Sequence, residues 1–74
     1  MIKVQLEYGT WADITRTIII NAAHVDMGKK DNIFEIYAID VAGEEHRTNS
    51  NDELLENVYV DGEVKYRRTT RKII

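Results

Sequence analysis

Ile14-Thr15-Arg16-Thr17-Ile18-Ile19-Ile20 is the stretch on which the fold turns. Six of its seven residues are β-branched. Such side chains crowd the preceding turn of a helix but pack well on a pleated sheet. The wider segment 10–23 also has a helical reading. Trp11, Ile14, Ile18, Ala22 and Val25 recur at helical spacing, and Thr10 with Asp13 would cap that helix. The β-branched run outweighs the spacing, so a strand is expected here, broken by a bend or bulge at Asn21-Ala22-Ala23.

The flanking sequence agrees with a sheet protein. Residues 2–8 alternate, with Ile2, Val4, Leu6 and Tyr8 on one face and Lys3, Gln5 and Glu7 on the other, which describes a half-buried strand. Asp61-Gly62 separates Val58-Tyr59-Val60 from Glu63-Val64-Lys65-Tyr66, a two-residue hairpin signal. Simple pairing across that turn sets Tyr59 opposite Val64 and Asn57 opposite Tyr66. The Tyr59, Val64, Tyr66 face is therefore the expected core side. Ile33 to Val41 reads as a strand with apolar residues on both faces, as a central or covered strand would have. Asp40-Val41-Ala42-Gly43 suits a type I turn leading back through Glu44 to Asn49. His24-Val25-Asp26-Met27 reads as a short strand, joined to the next by a Gly28–Asn32 hairpin connection. Ser50 followed by Glu53 has the form of a capping box, so a short helix is expected at about residues 51–57. The expected fold is mainly β, a small antiparallel barrel or sandwich of about seven strand segments with that one helix. It is a single domain over residues 1–74.

Composition narrows the function classes. With 74 residues and no cysteine, disulfides and thiolate metal sites are excluded. Lack of cysteine also fits a reducing compartment. No basic stretch leads into an apolar run at the N-terminus, and no apolar run exceeds four residues, far short of the ~20 needed to span a bilayer. No membrane contact is expected, and the expected location is the cytoplasm. Net charge is −3, but it is divided. Residues 1–64 carry all thirteen acids and five basic residues, whereas residues 65–74 carry Lys65, Arg67, Arg68, Arg71 and Lys72 with no acid. A basic end can meet an acidic partner or the acidic body of the same or a second copy.

Catalysis has little to work with. Ser50 is the only serine and is assigned to the helix cap; the two histidines, His24 and His46, have no cysteine to activate. No enzyme activity and no cofactor are expected. A metal-dependent enzyme centred on His24, Asp26 and His46 is the weakest alternative, because His24-x-Asp26 puts two ligand types on one strand face. Gly28-Lys29-Lys30 lacks the glycine run and following helix of a phosphate-cradling loop. The stronger alternative is a nucleic-acid-binding accessory protein that uses the C-terminal strand. Lys65, Arg67, Arg68, Arg71 and Lys72, interleaved with Tyr66, would neutralise phosphates and stack a base. Against it stand the acidic body and the use of basic residues to guard sheet edges.

Trp11-x-Asp13-Ile14-Thr15 is similar to a short pattern of β-rich modules in phage tail proteins. It covers five of 74 residues, and the resemblance implies only a phage or mobile-element origin.

The leading expectation rests on surplus apolar surface. Ile18, Ile19 and Ile20 cannot share one strand face, strand 33–41 is apolar on both sides, and the chain ends in Ile73-Ile74. Contiguous exposed apolar surface marks contact sites. The expected function is a non-catalytic binding or assembly module acting through protein–protein contact as a homodimer. Its contact residues are Trp11, Ile18, Ile19, Ile20, Tyr59, Tyr66, Ile73 and Ile74.

Overall fold

The computed structural model describes residues 1–10 and 12–68. It holds six strands: β1 Ile2–Thr10, β2 Asp13–Lys30, β3 Ile33–Asp40, β4 Glu45–Asn49, β5 Leu55–Val60 and β6 Glu63–Arg67. They form one antiparallel sheet in the order β4-β3-β2-β1-β5-β6. The β-branched run is strand, and it belongs to an 18-residue element. Residues 13–30 are thus one strand where two were expected, which brings the count to six.

The length of β2 dictates the shape. Eighteen residues of extended chain span roughly 55–60 Å, yet the longest dimension of the molecule is 44 Å. The strand must bend. It does so at the register shift between Ala22 and His24, where Ala23 is the extra residue of a bulge. The N-terminal half of β2 pairs with β1 and the C-terminal half with β3. The bend folds the two halves of the sheet toward each other. Phe34 of β3 and Tyr66 of β6, four places apart in the strand order, stack with ring centroids 5.2 Å apart.

The inner face holds the core: Val4, Leu6, Tyr8, Ile20, Ala22, Phe34, Ile36, Ala38, Leu55 and Val58 are buried. The alternation read for residues 2–8 is the alternation observed. Both two-residue turns have the positive φ angles that match the twist of a hairpin: 53° and 65° at Asp31 and Asn32, 51° and 81° at Asp61 and Gly62. Gly9 is a position only glycine fits. Its φ is +148°, and a Cβ there would lie 2.3 Å from the Asp13 carbonyl oxygen.

Three expectations need correction. The sheet is open, with β4 and β6 as its edges, and closes into no barrel. These edge strands have five residues each, and their ends are tied by side chains instead of a ladder. Arg68 Nη2 donates to the Ser50 carbonyl at 2.6 Å and to that of Asp52 at 2.8 Å, and its Nε donates to that of Leu55 at 2.9 Å.

Second, the expected helix at 51–57 is a turn followed by β5. Ser50 does not cap. Its Oγ accepts the Phe34 N–H at 3.0 Å while its own N–H donates to the Phe34 carbonyl. Asn49 Oδ1 accepts from the Asn51 N–H and Asp52 Oδ1 from the Leu54 N–H, so side chains offer the backbone turn bonds that compete with a helix. Leu55 and Val58 are then buried from a strand.

Third, the last hairpin keeps Tyr66 on the core side as expected, but not Tyr59 and Val64. Tyr59 does pair with Val64, but Lys65 is an extra residue, so Val58 pairs with Tyr66 and Asn57 with Arg67. Val58 and Tyr66 face the core; Tyr59 and Val64 face outward.

Candidate protein-contact surface

The outer face carries a continuous row across four strands. Ile19 of β2 pairs with Gln5 of β1, Gln5 with Tyr59 of β5, and Tyr59 with Val64 of β6. Directly paired residues point to the same side of a sheet, so these four side chains form one line. Ile19 is 48% exposed and Val64 43%, and Tyr59 is half-buried.

The adjoining row is polar and internally satisfied. Thr17, Glu7, Asn57 and Arg67 are its cross-strand partners. The Glu7 carboxylate accepts from Gln5 Nε2 at 2.9 Å and from Asn57 Nδ2 at 2.8 Å. Arg67 donates through Nε to Asn57 Oδ1 at 3.2 Å and through Nη2 to the Tyr59 hydroxyl at 3.4 Å. This chain of bonds holds Gln5 and Tyr59 in place between the exposed Ile19 and Val64. Exposed apolar side chains beside a hydrogen-bonded polar margin are features of a contact surface.

The expected contact residues divide between the faces. Ile19 and Tyr59 lie on the outer row. Ile20 is buried, and Ile18 and Tyr66 are partly buried and pack against the core. Trp11, Ile73 and Ile74 lie outside the described residues. Gln5 and Val64 were missed; the Tyr59–Val64 pairing read from the turn was the available signal.

The basic segment is engaged by the domain itself. Lys65 pairs with Glu63, which holds the Glu63 carboxyl below the usual carboxylate range through that hydrogen bond. Arg67 belongs to the outer polar row, and Arg68 is bound to three backbone carbonyls with its guanidinium carbon 6.0 Å from the Tyr66 ring centroid. Arg71 and Lys72 lie outside the described residues.

The expected metal trio is not assembled. His24 pairs with Ile39 and Asp26 with Tyr37 on the outer side, whereas His46 pairs with Ala38 on the core side. His46 instead meets Asp40 and Glu44. Its Nε2 is 2.9 Å from Asp40 Oδ2 and 3.9 Å from Glu44 Oε1. Asp40 Oδ1 accepts the N–H groups of Ala42 and Glu44, each at 2.9 Å. The His46 bond, followed by the Glu44 N–H, holds the Asp40 carboxyl below its ordinary range.

No family model matches the chain, and no curated protein or solved structure shows significant similarity to it. Among the described residues no helix is long and apolar enough to cross a membrane.

Proposed function

We propose that the domain is a non-catalytic protein-contact module that pairs with a second copy of itself through the outer row of Ile19, Gln5, Tyr59 and Val64. The observation that carries this reading is the exposure of Ile19 and Val64 on one line of paired residues. A homodimer is the simplest closed assembly of such a surface. Tyr59 supplies a large amphipathic ring of the type enriched at binding hot spots. The hydrogen bonds through Glu7, Asn57 and Arg67 fix the polar margin before association, so less side-chain freedom is lost on binding.

Sedimentation equilibrium from about 1 μM to about 1 mM tests it, a window corresponding to roughly 8 to 4 kcal/mol of association free energy. The wild type is expected to pass from monomer to dimer, and Ile19→Glu and Val64→Glu to remain monomeric while retaining the fold. A wild type that stays monomeric throughout, or variants that dimerise as well as it does, overturns the reading.

A further inference from the structure

We infer that Asp40, Glu44 and His46, at the β3–β4 turn, form a binding site for a divalent transition-metal ion of the zinc class. The site lies apart from the outer row and does not rest on the contact reading.

Geometry is the first support. One donor atom from each residue lies within 4.8 Å of the other two. An ion with bonds of about 2.0–2.2 Å to nitrogen and oxygen in tetrahedral coordination separates its donors by roughly 3.3–3.5 Å. The separations from His46 Nε2, 2.9 Å to Asp40 and 3.9 Å to Glu44, fall on either side of that value. Shifts of about half an ångström make them equal, and the Glu44 side chain is 77% exposed and free to make them.

The shell behind the donors is the second support. Two backbone N–H groups hold Asp40 Oδ1, which fixes the carboxylate plane and leaves Oδ2 aimed at His46. Outer-shell hydrogen bonds of this kind orient metal ligands and tune affinity. The turn is closed by bonds from the Asp40 N–H to the Glu44 carbonyl and from the Gly43 N–H to the Asp40 carbonyl. Asp40 and His46 are therefore in place before any ion arrives, and the mobile Glu44 side chain completes the set.

Charge is the third. Two carboxylates face one imidazole, which carries at most a single positive charge. The hydrogen bond to Asp40 accounts for one carboxylate. Glu44, at 3.9 Å, is too far from Nε2 for a hydrogen bond. A divalent ion between the three side chains neutralises both carboxylates. One nitrogen donor with two oxygens favours zinc, cobalt or nickel over magnesium and calcium, which select all-oxygen sites. The exposed Glu44 side leaves room for water as the remaining ligand.

The test is a titration of the untagged full chain with cobalt, followed by visible absorption and by amide shifts in proton–nitrogen spectra, with zinc added as competitor. Saturable binding of one ion, shifts centred on residues 40–46, and displacement by zinc are expected. His46→Gln is expected to weaken binding by about tenfold or more. Glu44→Gln, which leaves the backbone bonds of the turn intact, should weaken it by a smaller factor, and His24→Gln should leave it unchanged. Absence of saturation at millimolar cobalt, binding that survives His46→Gln, an equal response to magnesium, or loss on His24→Gln overturns the proposal.

Discussion

Replacing Arg68 with alanine separates a structural role from the surface role that its place in a basic run suggests. The guanidinium reaches three carbonyl oxygens, at 2.6, 2.8 and 2.9 Å, on the segment joining β4 to β5. Hydrogen bonds from a charged donor are each worth about 1.5–3 kcal/mol. Arg68 is half-buried, and water replaces part of each bond, so about 1 kcal/mol apiece is a better figure after that discount. Alanine keeps the bond from the Arg68 N–H to the Glu56 carbonyl. The expected loss is about 2–4 kcal/mol, out of roughly 4–11 kcal/mol for a domain of this length. In melting temperature that is a fall of about 10–25 °C. Urea unfolding followed by far-UV circular dichroism measures it. Arg67→Ala is the control. Its two bonds, at 3.2 and 3.4 Å, go to side chains on the exposed face, so a loss below about 1 kcal/mol is expected. Arg68→Lys should recover only part of the difference, because an ammonium cannot reproduce the planar fork. If the two alanine variants unfold at the same urea concentration, Arg68 is not the tie between the sheet edges and the reasoning fails.

Two further perturbations probe how the sheet is bent and closed. Gly9→Ala places a Cβ 2.3 Å from the Asp13 carbonyl oxygen, a backbone atom that cannot swing aside. Gly62→Ala meets open space and only the strain of φ +81°, about 1–2 kcal/mol. Thermal unfolding should rank Gly9→Ala well below Gly62→Ala, and an equal ranking refutes the steric argument. Phe34→Ala removes the ring that stacks on Tyr66 across the fold and should cost about 3–5 kcal/mol. A loss under about 1 kcal/mol in urea would show that the two halves of the sheet do not depend on that contact.

Local signals in the sequence were reliable where one residue type or one short pattern decides the backbone. The β-branched run of Ile14 to Ile20, the alternation of residues 2–8 and the Asp61-Gly62 turn are all strand and hairpin in the structure. The failures share a cause. Ser50 and Glu53 form a valid capping pattern, but Ser50 is taken by Phe34, sixteen residues away. Nothing within residues 50–57 announces that partner. Arg68 looks like one more charge in a basic run, and its carbonyl partners come from the turn before β5. The metal alternative needs His24 and His46 on one face. Their strands do lie on either side of β3, but the bulge at Ala23 puts the side chains on opposite faces.

Bulges therefore decide which residues reach the outer face. Side chains alternate with period two, so one inserted residue sends everything beyond it to the other face. Glu56 is the extra residue where β5 meets β1, which turns Leu55 inward beside Tyr8 and Asn57 outward beside Glu7. Lys65 is the extra residue where β6 meets β5, and it lets Val64 face outward while Tyr66 faces the core. Without that insertion, Tyr66 would share the Val64 side, and either the stack on Phe34 or the outward position of Val64 would be lost. The same hairpin thus supplies a core ring and an exposed aliphatic residue only two positions apart. The outward place of Val64 is therefore not left over from a crowded interior. It is set by where the sheet takes up its extra residues.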